Sequence, residues 1–123
     1  MIYMKKKLMV LLVSMPDTVS DTCESFEGAE VVTHQSVSVY SAIAKIDETK
    51  YDLVIVNNAC QDGSAHHLFS RARLHDPTLR VIGVSHDPVM RALMKDEGFT
   101  CSLDFCRVAE AALEQLKVLT EDL

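Results

Sequence analysis

Five short runs rich in Val, Ile and Leu, each followed by a stretch whose apolar residues recur at helical spacing, constrain this chain more than any other feature. A parallel sheet needs this alternation, because each strand must be followed by a crossover that returns the chain over one face of the sheet. The runs are Leu8 to Val13, Glu30 to Thr33, Leu53 to Asn57, Arg80 to Val84 and Thr100 to Leu103. The first, third and fourth are almost uniformly apolar, as strands covered on both faces should be.

Between the runs, Val19, Thr22, Cys23 and Phe26 share one helical face, and Val39, Ala42, Ile43 and Ile46 share the next. The third helix gathers Ala65, Leu68, Phe69 and Ala72, the fourth Val89, Ala92 and Leu93, and the last Val108, Ala111, Ala112, Leu116 and Leu119. Each stripe is predicted to face the sheet. Asp87 before Pro88 reads as an N-cap followed by the first helical residue, and Gly98 as a left-handed stop. Gly63 with Ser64 opens the third helix, and Asp76 with Pro77 turns the chain into the fourth strand.

At 123 residues, the chain suits one domain spanning residues 1–123 with one continuous core. Its 48% hydrophobic and 24% charged residues exclude a disordered chain. A net charge of −6, with Lys5, Lys6 and Lys7 as the only basic run, argues against nucleic-acid binding. That basic start ahead of an apolar stretch has the outline of a secretory leader, yet Ser14 and Pro16 break the stretch and no small-residue cleavage site follows. No stretch is long enough to span a membrane, so a cytoplasmic protein is expected. Cys23, Cys60, Cys101 and Cys106 form no zinc-type spacing and read as buried free thiols.

The segment Tyr51-Asp52-Leu53-Val54-Ile55-Val56-Asn57, the pair Asp62-Gly63, and Val81-Ile82-Gly83-Val84-Ser85 together resemble the response-regulator receiver family. The resemblance covers essentially the whole chain and implies a flavodoxin-like (βα)5 three-layer sandwich, with a parallel five-stranded sheet of order 2-1-3-4-5. It also implies a role in signal transduction, within or beside a phosphorelay.

Position by position, however, the family's chemistry is missing. Asn57 stands at the phosphoacceptor position, and an amide cannot be the nucleophile that forms an acyl phosphate. Ser14 and Met15 stand where the family holds an acidic Mg²⁺-binding pair, and a thioether is a poor ligand for a hard dication. Nearby Asp17 is expected to cap the first helix. Phe105 and Cys106 replace the family's lysine and proline, and Ser102 its rotating aromatic; Ser85 alone keeps the family's residue type. The resemblance is therefore to a degenerate, pseudo-receiver form.

Other chemistries fit less well. A flavin phosphate loop needs glycines, and Ser14-Met15-Pro16-Asp17-Thr18 has none. A phosphocysteine carrier would want Cys, and a cobalamin carrier a ligand His, in that loop. Adjacent His66 and His67 project about 100° apart on a helix, so with Asp62 and Cys60 they make a poor metal set. Cys60 and Cys106 both follow strands, which leaves a redox pair as an alternative.

The expectation is thus a non-enzymatic, phosphorylation-independent module, without cofactor or metal, that binds a signalling protein. A small-ligand or thiol-redox protein of the same fold is the alternative. Phe105 is expected to turn inward over the vacated mouth. Met90, Arg91, Met94 and Lys95 on the fourth helix are the predicted contact surface, their basic flank suited to an acidic partner. The family also pairs through the fourth and fifth helices, which allows a homodimer.

Overall fold

In the computed structural model, which describes residues 6–58 and 65–121, strand β1 (Lys7–Val13) lies between β2 (Glu30–Ser36) and β3 (Leu53–Asn57). Beyond β3 follow β4 (Arg80–Val84) and β5 (Cys101–Leu103), all pairings being parallel in the order β2-β1-β3-β4-β5. Each strand is followed by a helix: α1 (Asp17–Glu24), α2 (Val39–Glu48), α3 (Ala65–His75), α4 (Pro88–Glu97) and α5 (Val108–Glu121). A short 3-10 turn at Phe105–Arg107 leads into α5. Gly63 and Ser64, read as the opening of α3, lie outside the described residues.

Alternation along β1 sends its side chains to opposite faces. Leu8, Val10 and Leu12 join Val19 and Cys23 of α1 and Ala112 and Leu116 of α5, whereas Leu11 and Val13 join Ala42, Leu68 and Met94 from α2, α3 and α4. The one continuous core expected from the sequence is in fact two, because the hydrogen-bonded sheet stands between its covered faces. Each fully buried Val or Leu contributes about 1.5–3 kcal/mol. Strand β2 runs to Ser36, three residues past its apolar run, because an edge strand can keep pairing through its backbone after its side chains turn polar.

The stripes read for α2, α3 and α5 face the sheet; that of α4 does not. Val89 is 64% and Leu93 48% exposed, while Met94, expected at the surface, is 1% exposed. Gly83 explains the rotation, since a Cβ there would overlap Met94 Sδ and lie 2.9 Å from Phe99 Cδ2. The missing side chain leaves a hollow on β4 that a long, flexible thioether fills.

Capping follows the sequence at α4, where Asp87 accepts from the Val89 N–H at 2.9 Å and Gly98 adopts φ 109°. At α1 it does not. Pro16 takes the N-cap position without a side-chain cap bond, and Asp17 instead accepts from Gln35 Nε2 at 3.1 Å.

Gly83→Ala is expected to destabilise the domain by about 1–3 kcal/mol, as overpacking does when neighbours must shift. A urea melt checks this, and a melt matching the wild type would show that Met94 moves aside freely.

Candidate functional site

Because β1 and β3 are neighbours, with Val13 opposite Val56, their carboxyl ends bring Ser14 and Asn57 together. This is the edge at which folds of this type hold their ligands. Ser14 adopts φ 55°, a left-handed conformation costing on the order of 1–3 kcal/mol for a non-glycine residue. Its N–H donates to the Ser36 carbonyl at 2.8 Å, and its own carbonyl accepts from Asn57 Nδ2 at 3.3 Å. Asn57 is thus a donor at this edge, a role an ionised carboxylate cannot take. Met15 is buried in the α1–α5 cluster with Leu12 and Val19.

A second group of residues forms where β4 and β5 end. The buried Ser85 donates its N–H to the Leu103 carbonyl at 3.0 Å, and its Oγ accepts from the Asp87 N–H at 3.1 Å. Arg91 reaches back from α4 to donate to the Ser85 carbonyl at 2.9 Å, with the same nitrogen 3.8 Å from Asp104 Oδ2. Ser102 donates its hydroxyl to the Arg91 carbonyl at 2.5 Å. Asp104 Oδ1 receives the Phe105 N–H at 2.7 Å and lies 2.9 Å from His86 Nδ1.

Phe105 only partly fulfils its expected role. The ring is half-buried against the α1–α5 cluster and tilts over the His86 ring, centroids 4.8 Å apart. Among the predicted contact residues, Lys95 is exposed, Met90 and Arg91 are half-buried, and Met94 belongs to the core. Arg91 is therefore turned into the domain, and the expected basic flank reduces to Lys95 beside Asp96. His86 and Asp104 were missed by sequence reasoning. The one available signal was an Asp directly before the residue that opens a helical turn, the position of an N-cap.

His66 is engaged with Glu97 of α4. Among the described residues, no group of three His, Cys, Asp or Glu side chains is placed to hold a metal ion. Burial pushes the buried Cys23 thiol up to about 11, and partial burial also raises that of Cys101. Cys106, expected to be buried, is exposed, because it lies in the short 3-10 turn ahead of α5, while Cys60, its partner in the redox alternative, lies with Asp62 and Gly63 outside the described residues.

No protein-family model matches the sequence. No curated protein matches it either. Solved structures do match. A CheY-like response regulator receiver domain protein from Methanospirillum hungatei superposes with a TM-score of 0.77 at 19% identity, covering 95% of this chain and 96% of that one. A two-component response regulator from Clostridium difficile gives 0.75 at 17% identity, covering 94% and 97%. The chemotaxis response regulator CheY4 of Vibrio cholerae gives 0.72 at 20% identity, covering 93% and 99%. This chain has the receiver fold.

Asn57→Asp is expected to cost about 1–2 kcal/mol at neutral pH, because it sets a carboxylate against the Ser14 carbonyl and loses a donor. Urea melts of the two proteins check it, equal midpoints refuting the donor role. Phe105→Ala is expected to cost about 1–2 kcal/mol, less than the 2–4 kcal/mol of a fully packed ring. A larger loss in the same melt would mean that the ring is buried in solution.

Proposed function

We propose that this domain is a receiver-like signalling module that works without phosphorylation, by presenting α4 to a protein partner. The observation that carries this reading is the Asn57 amide donating to the Ser14 carbonyl, where the family's aspartate would await a phosphoryl group. The neighbouring positions support it, because Met15 is packed in the core and Phe105 lies over His86. Acyl phosphate formation needs a carboxylate nucleophile, and stabilising its charge needs cations or other donors. Neither an acidic metal pair nor the family's lysine stands in the matching positions.

The binding face is α4 in its observed rotation. Val89 and Leu93, with Ala92 between them, form an apolar stripe along the outer side of the helix. Beside it, the three residues of edge strand β5 are only half covered, and Cys101, Ser102 and Leu103 border a cavity of about 260 Å³ against α5. Apolar surface next to an incompletely covered strand suits a protein partner better than a charged ligand. Among the described residues, no helix is long and apolar enough to cross a membrane, and we take the cytoplasm as its compartment.

Incubation with acetyl phosphate and Mg²⁺ is expected to leave the intact mass unchanged, and a phosphate adduct would overturn the phosphorylation-independent reading. Paired replacement of Val89 and Leu93 by Gln is expected to hold stability within about 1 kcal/mol, as exposed positions allow, while abolishing capture of the partner. Met94→Gln should instead cost about 2–4 kcal/mol by burying an unpaired amide. Capture unaffected by the paired replacement would move the binding face off α4.

A further inference from the structure

We infer that Arg91 is a positioning residue that braces α4 against the ends of β4 and β5, fixing the orientation of the Val89–Leu93 stripe without any phosphoryl group. The brace deepens the functional reading above and rests on it for its purpose, though not for its geometry. Helix α4 has the thinnest apolar anchor in the fold. Its one buried residue is Met94, against three in α2 and four each in α3 and α5. A helix held by one buried side chain should open locally more readily than its neighbours unless polar contacts hold it.

Arg91 supplies such contacts at both its ends. Its guanidinium, with the side chain 27% exposed, donates to the Ser85 carbonyl at 2.9 Å and lies 3.8 Å from Asp104 Oδ2. Its main-chain carbonyl accepts the Ser102 hydroxyl at 2.5 Å. Asp104 is held in turn by the Phe105 N–H and His86. One residue therefore links the end of β4, the body of α4, the middle of β5 and the turn into α5. A planar guanidinium with several donors suits this work, because it can meet a carbonyl and a carboxylate from one position. The guanidinium thus meets the backbone at Ser85, whose hydroxyl accepts from the Asp87 N–H, while the Ser102 hydroxyl meets the Arg91 main chain.

The test is native-state hydrogen exchange, read by mass spectrometry on the full 123-residue chain without any phosphodonor. Arg91→Met keeps the aliphatic stem and removes the charge. It is expected to speed exchange of the α4 amides by about tenfold or more, while those of β1 and β3 stay as in the wild type. Arg91→Lys, which can still reach a carbonyl, should recover part of the protection, and Lys95→Met should change nothing. Should Arg91→Met fail to fold, Ser102→Ala reads the same brace from its other end, with a smaller acceleration confined to α4. Unchanged α4 exchange, or acceleration spread evenly over β1 and β3, would overturn the inference. A failure of the brace thus appears in exchange, whereas a failure of the phosphorylation-independent reading appears as added mass.

Discussion

Strand β1 is hydrogen-bonded along both edges and covered on both faces, and the placing of Ser14, Met15 and Asn57 follows from that enclosure. A strand so enclosed must be apolar at nearly every position, which Leu8 to Val13 satisfies, and it can change character only where it leaves the sheet. That point is Ser14. Here the chain must turn sharply toward α1, and it does so in a left-handed conformation secured by a bond to Ser36 on one side and to Asn57 on the other. The strain at Ser14 is thus tolerated because two neighbouring strands determine it.

The same enclosure decides what chemistry the edge can host. In a receiver, several carboxylates and a lysine converge there, and such a cluster of like charges is comfortable only with a cation among them. This chain has instead an amide at Asn57 that donates to the Ser14 carbonyl, a buried thioether at Met15 and a half-buried ring at Phe105. Among the described residues, no buried side-chain nitrogen or oxygen lacks a hydrogen-bond partner. The edge is therefore stable as it stands, with charge kept to the exposed side around His86, Arg91 and Asp104. Its organisation is that of a closed joint between elements.

How much of this was legible in the sequence depended on which force set each feature. Strands and most helix faces were legible, because burial on two sides of a sheet writes an unambiguous pattern: the bounds of β3 and β4 agree to the residue, and Ala65, Leu68, Phe69 and Ala72 all face inward. That Asn57, Met15 and Phe105 are an amide, a thioether and an aromatic ring was legible too, since it concerns residue identity alone. The rotation of α4 was not. Val89, Ala92 and Leu93 make the better apolar stripe, and only the hollow above Gly83 on a different element favours Met94. The Arg91 brace was hidden for the same reason, as its partners come from three separate segments. Asp17 misled because Pro16 already occupied the position a capping side chain would take.

The outward stripe on α4 has an energetic cost that needs a reason. Leaving Val89 and Leu93 largely in water forgoes much of the roughly 1.5–3 kcal/mol that each would contribute if buried. A fold selected for stability alone would turn them inward, and a side chain at position 83 would remove the hollow that rotates the helix the other way. Instead, a glycine draws Met94 in, an arginine holds the helix by polar contacts, and the stripe remains uncovered. Polar contacts fix direction better than apolar ones, because they fail when a helix rotates by even part of a turn, whereas hydrophobic contact survives such slippage. A helix anchored chiefly by directional bonds, with its apolar side facing out, has the orientation that the proposed partner binding would need.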